Sequence, residues 1–99
     1  RELYQARQRV LIDALAEASG GALQLAPSDR GMHLLYEAAP GSDDETLSRK
    51  ALTAGVMLAP LSRYAMQSTR RGWLLGYAGY SEAEIVAAAR VVGGLARMR

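Results

Sequence analysis

From Glu2 to Ser19 the apolar residues Leu3, Tyr4, Val10, Leu11, Ala14, Leu15 and Ala18 recur at helical spacing, while Arg7, Arg9, Asp13 and Glu17 fall mostly between them. This predicts an amphipathic helix, ended by Gly20 and Gly21. From Ala22 to Pro27 the period drops to two, with Leu23 and Leu25 against smaller or polar neighbours, as in a half-buried strand. Ser28, Asp29, Arg30 and Gly31 supply a turn. Beyond it Met32, Leu34 and Tyr36 alternate with His33, Leu35 and Glu37, so residues 22–38 read as a hairpin closed by Pro40 and Gly41.

The second half repeats the theme. Ser42 and Glu45 stand at capping-box spacing, with Asp43 and Asp44 where a helix dipole favours negative charge, so a helix should run from there to Gly55 with Leu47, Ala51 and Leu52 as its stripe. Val56 to Leu58, closed by Pro60, predicts a third strand in the sheet interior. Residues 61–72 show no period and form the most polar long connection, the kind of segment that carries function. Trp73 to Ala78 predicts a fourth strand. Ser81 and Glu84 then open a last helix striped by Ile85, Ala88, Ala89, Val92 and Leu95 and weakened at Gly93 and Gly94. The order helix, strand, strand, helix, strand, strand, helix makes an α/β (α+β) two-layer sandwich the natural packing.

Composition narrows the classes. Ninety-nine residues with three prolines and no cysteine describe a single domain, residues 1–99, without disulfides or thiolate chemistry, and one histidine argues against a histidine metal cage. No unbroken apolar run is long enough to cross a bilayer, which suits a cytoplasmic protein. Twelve basic residues against ten acidic ones leave a net charge of +2 with no basic block, a weak pointer to nucleic acid. Arg1 falls inside a running helix, so the chain reads as an excised piece of a larger protein.

Few residues offer chemistry. His33 is the general-base candidate, but no nucleophile constellation surrounds it in sequence, and a structural histidine explains it as well. Lys50, the one lysine, could form a Schiff base, yet beside Arg49 it reads as solvated surface charge. The trio Asp43, Asp44 and Glu45 is explained by helix dipole and cap rather than by a metal. Arg71-Gly72-Trp73-Leu74-Leu75-Gly76-Tyr77 partly matches the RNA-recognition signature, although Trp73, Leu75 and Tyr77 on one strand face are equally explained by packing.

The succession of Gly31-Met32-His33-Leu34, Ala54 to Tyr64, Gly72 to Ala78 and Ser81-Glu82-Ala83-Glu84-Ile85, after an opening Leu3-Tyr4-Gln5-Ala6-Arg7-Gln8-Arg9, resembles the C-terminal small domain of fold-type-I pyridoxal-phosphate aminotransferases. It is most similar to the aminotransferase-like half of MocR-type transcriptional regulators of the GntR superfamily. The resemblance implies a parent with a winged-helix DNA-binding domain and a large domain that owns the cofactor lysine, neither present here. Lys50 does not stand in that lysine's context. The chain by itself is therefore expected neither to bind pyridoxal 5'-phosphate covalently nor to catalyse. It is expected to act as a lid against its own large domain and dimer mate, touching DNA only through the parent.

The resemblance also implies an arginine on the strand matching Trp73 to Ala78 that grips a substrate carboxylate, and here Leu74 takes that place. Arg70 shares its pleat parity but lies further back. The loss favours an effector-sensing regulator over the alternative, the C-terminal domain of a working class I/II aminotransferase. A third reading is a stand-alone ferredoxin-like RNA or ligand binder. Ser62, Arg63 and Tyr64, in the loop that matches the family's active-site mouth, are the candidate ligand-side residues.

Overall fold

The computed structural model describes residues 2–29, 33–64 and 68–98. Its elements are α1 (Glu2–Ala18), β1 (His33–Ala38), α2 (Glu45–Thr53), β2 (Ala59–Pro60), a 3-10 turn over Leu61–Arg63, β3 (Arg71–Gly76) and α3 (Glu82–Arg97). The strands form an antiparallel sheet in the order β1-β3-β2. This is a mixed α/β domain of three helices and three strands among the described residues. None of these helices is long and apolar enough to cross a membrane.

The expected hairpin over residues 22–38 does not form. Its first limb, Ala22 to Pro27, is not a strand, and β1 pairs instead with the distant β3, Leu34 opposite Leu75 and Tyr36 opposite Trp73. Leu23 and Leu25 are nonetheless buried, so their alternation reported burial without pairing. The segment is anchored by its own helix end, where the Ser19 hydroxyl accepts the Leu23 N–H at 2.9 Å. Part of the expected turn, Arg30 and Gly31, lies outside the described residues, as does Met32.

The third strand is displaced too. Pairing falls on Ala59 and Pro60, against Leu74 and Trp73, and on an edge rather than inside the sheet. Proline has no N–H to extend a ladder, so this strand stays short. Met57, within the expected strand, is 85% exposed.

All three helices contribute to one core. Leu11, Ile12 and Leu15 of α1, Leu47 and Ala51 of α2 and Ile85, Ala89 and Val92 of α3 cluster with Leu34, Trp73 and Leu75 of the sheet. The register places these three strand residues on one face, with Tyr36 stacked on Trp73 at 5.7 Å between ring centroids. Gly93 is part of this packing rather than a weak point. A Cβ there would lie 2.5 Å from the Ala18 Cβ, so its absence lets α3 press against the end of α1. The α3 capping box forms as its spacing predicts, Ser81 Oγ accepting the Glu84 N–H at 3.1 Å and the Glu84 carboxylate accepting the Ser81 N–H at 2.8 Å.

The opposite sheet face carries His33, Leu35, Glu37, Ala59, Leu74 and Gly76, by the alternation that puts Leu34 and Leu75 inside. Leu35 is 42% exposed on this face.

Candidate functional site

The start of α2 differs from its expected cap, and that difference builds the site. Ser42 turns its hydroxyl onto the Ala39 carbonyl at 2.6 Å. Asp43 takes over the orphan helix donors, one carboxylate oxygen accepting the N–H groups of Glu45 and Thr46, each at 3.0 Å. Asp44, the formal N-cap, makes no side-chain cap.

Asp44 is instead buried, and its carboxylate points away from the helix. One oxygen accepts the Ser62 N–H at 2.9 Å and the Gly72 N–H at 3.1 Å, while the other accepts the Ser62 hydroxyl. Its backbone carbonyl accepts the Trp73 indole N–H at 2.8 Å. Burial alone would raise the pKa of this carboxyl, but the Ser62 and Gly72 donors, with the Arg71 charge, outweigh it and hold the group below the ordinary aspartate value. Gly72 fits here only as glycine. Its φ of 138° is a conformation that side-chain-bearing residues rarely adopt, and a Cβ would stand 2.0 Å from the Tyr36 carbonyl oxygen.

Ser62, Arg63 and Tyr64 therefore occupy different positions. Ser62 is half-buried and committed to Asp44. Arg63 and Tyr64 are exposed, Tyr64 at 67%; the Tyr64 N–H donates to the Leu61 carbonyl at 2.9 Å, and no side-chain hydrogen bond of either is described. Both line a groove of about 850 Å³, together with His33 and Leu74 of the outer face, Leu75 of the inner face, and Leu11 and Ile85 of the helices. His33 lies across the outer face, its imidazole 3.2 Å from where a Gly76 Cβ would sit. Glu84, the carboxylate of this lining, already accepts at the α3 cap, so the side-chain groups left to the groove by Arg63, Tyr64 and His33 are mostly donors.

The remaining candidates lie elsewhere. Arg70 pairs with Glu37 at 3.0 Å on the surface and does not line the groove. Lys50 is exposed on α2, also outside it. Of the acidic trio, which the sequence assigned to helix dipole and cap, Asp43 caps the helix and Glu45 lies in its first turn, but Asp44 is turned to Ser62 and Gly72; no three metal-ligating side chains gather among the described residues. Trp73 and Tyr77 are 3% and 2% exposed, which removes the aromatic platform that base stacking on this strand would need. Two residues escaped sequence reasoning. Gln8, buried on α1, donates to the Ser28 carbonyl at 2.7 Å and the Tyr77 hydroxyl at 3.0 Å, and Arg7 donates to the Ala78 carbonyl at 2.9 Å, together tying α1 to the far end of β3.

No family model matches the chain. Over 87 residues, 86% of this chain, it is 32% identical to the uncharacterized HTH-type transcriptional regulator YhdI of Bacillus subtilis (strain 168). Over 80 residues, 80% of the chain, it is 36% identical to MocR of Rhizobium meliloti, described as a probable rhizopine catabolism regulatory protein. The chain belongs to the MocR-type family of transcriptional regulators. It spans 18% and 16% of those relatives' lengths, so most of a MocR-type regulator lies outside the segment compared. Leu74, in the middle of β3 on the outer face, stands where the aminotransferase resemblance implied a carboxylate-gripping arginine; of the cations before it in sequence, Arg71 donates to the Ser68 and Arg70 carbonyls, Arg70 pairs with Glu37 and Arg63 lines the groove.

Proposed function

We propose that this chain is the C-terminal small domain of the aminotransferase-like half of a MocR-type, GntR-superfamily regulator, of the fold-type-I kind. In this reading it acts as an effector-sensing lid in a cytoplasmic, dimeric protein whose winged-helix segment binds DNA. The observation that carries the proposal is the outer sheet face. Leu35 is left uncovered on it, and Met57 and Tyr64 are exposed at the groove that His33 and Leu74 of this face line together with Arg63 and with residues of α1 and α3. Monomeric domains rarely leave apolar residues and a groove together without a partner for them.

The residues of this chain do not fit a covalent site for pyridoxal 5'-phosphate, because Lys50 is exposed on α2 and outside the groove. The cofactor, in this reading, is held by the large domain. Arg63 and Tyr64 are the ligand-side contacts, with Ser62 behind them. Closing the lid would place their donors on a bound ligand and shift the dimer between two DNA-binding geometries.

The test is the full-length regulator carrying Arg63→Ala or Tyr64→Phe, with Arg70→Ala as the control. The expected result is unchanged DNA affinity without ligand and a blunted change in that affinity when pyridoxal 5'-phosphate is added. An undiminished ligand response in both variants contradicts the proposal.

A further inference from the structure

We propose that Asp44 is the positioning residue of the ligand-side turn, holding Ser62 to Gly72 at the start of β3 with one carboxylate so that Arg63 and Tyr64, which follow Ser62, are presented at the groove. The proposal rests on the reading of Arg63 and Tyr64 as ligand contacts. Its geometry does not.

Ser62 lies in the 3-10 turn and Gly72 is the second residue of β3, and both give their backbone N–H to the same Asp44 oxygen. The Ser62 hydroxyl takes the second oxygen. Asp44 is itself held from behind, since its carbonyl accepts both the Trp73 indole at 2.8 Å and the Ser48 hydroxyl at 3.1 Å. Thus the carboxylate is anchored to the core through Trp73 and to α2 through Ser48, and the turn is anchored to the carboxylate.

The chemistry explains why an acid stands here. A buried carboxylate without a counter-ion is costly unless its lone pairs are filled by hydrogen-bond donors. Neither described ion pair involves Asp44, so three donors fill its lone pairs, and the Arg71 charge adds a smaller favourable contribution from further off. Asparagine, of nearly the same shape, can keep both backbone N–H bonds on its one oxygen by turning its NH2 onto the Ser62 hydroxyl, but it gives up the negative charge that strengthens all three bonds, so the hold on Ser62 and Gly72 weakens. A flexible turn would have to be ordered when ligand binds, which weakens binding, and a turn fixed in advance avoids that loss.

The experiment has two arms. In the chain with Asp44→Asn, amide hydrogen exchange at Ser62, Tyr64 and Gly72 is expected to accelerate about tenfold, the loss of a charge-assisted hydrogen bond, while α1 and α3 keep their relative protection. Ser62→Ala should act in the same direction, more weakly, and add little to Asp44→Asn. Exchange that rises equally everywhere marks a residue that only stabilises the fold, and exchange that does not rise marks an idle one. Either overturns the proposal.

In the full-length regulator, pyridoxal 5'-phosphate is the probe. Asp44→Asn is expected to weaken the ligand response as Arg63→Ala does, with the double variant no worse than the stronger single one. A response that Arg63→Ala lowers and Asp44→Asn leaves intact overturns positioning. If Arg63→Ala itself has no effect, the ligand reading fails, and the exchange arm alone decides whether Asp44 sets the turn.

Discussion

The two faces of the sheet are built on opposite terms. On the inner face, Leu34, Trp73 and Leu75 meet apolar side chains from three helices, and α3 lies close enough to α1 that Gly93 has no room for a methyl group. On the outer face, Leu35 is open, and the adjoining turn is fixed by a buried charge and its donors. Burial on the first side is closed within the chain. On the second, polar bonds hold Ser62 and Gly72 in place while the Arg63 and Tyr64 side chains stay exposed.

The contrast can be broken most forcefully from the inside. Trp73→Ala removes a buried ring and its bond to the Asp44 carbonyl, and should cost about 3–5 kcal/mol in chemical denaturation, enough to leave a small domain largely unfolded. Gly93→Ala should cost about 1–3 kcal/mol through overpacking against Ala18, whereas the same change at Gly94, where nothing lies within 4 Å, should be close to neutral or stabilising.

Acid sharpens the comparison at the outer side. The Asp44 carboxyl is held below its ordinary value in the fold, so it contributes stability above the unfolded value of about 3.9, and that contribution is lost as pH falls through the lower folded value. A melting temperature that is flat from neutrality to about pH 4 and drops below it is expected, with a shallower drop for Asp44→Asn. The smallest effect is at the surface. Arg70→Ala removes an exposed ion pair with Glu37 and should leave the melting temperature unchanged within error.

Much of the inner face was legible. The stripes of α1 and α3 follow helical periodicity, and Ser81 and Glu84 announced their cap because both partners of that motif are local. The hairpin was misread because period-two burial at Leu23 and Leu25 is identical in sequence to a strand, while pairing depends on where β3 lies. The cap at Ser42 was misread for a related reason. Two adjacent aspartates, one more than a cap needs, were the available signal that Asp43 and Asp44 divide the work, but the partners of Asp44 stand far along the chain at Ser62 and Gly72. Ser62, Arg63 and Tyr64 were found as a segment. That Ser62 faces inward and its two neighbours outward needed the three-dimensional arrangement.

The central claim is that the outer face is covered by the rest of a longer regulator, and hydroxyl-radical footprinting tests it most directly. Met57, Tyr64 and Leu35 are the reporters, compared between this chain alone and the full-length protein, with Met98, 83% exposed at the end of α3, as reference. The account predicts that these three lose most of their reactivity in the full-length protein, further so with pyridoxal 5'-phosphate, while Met98 is the internal standard. Equal labelling of all three in both proteins, with and without the ligand, contradicts it.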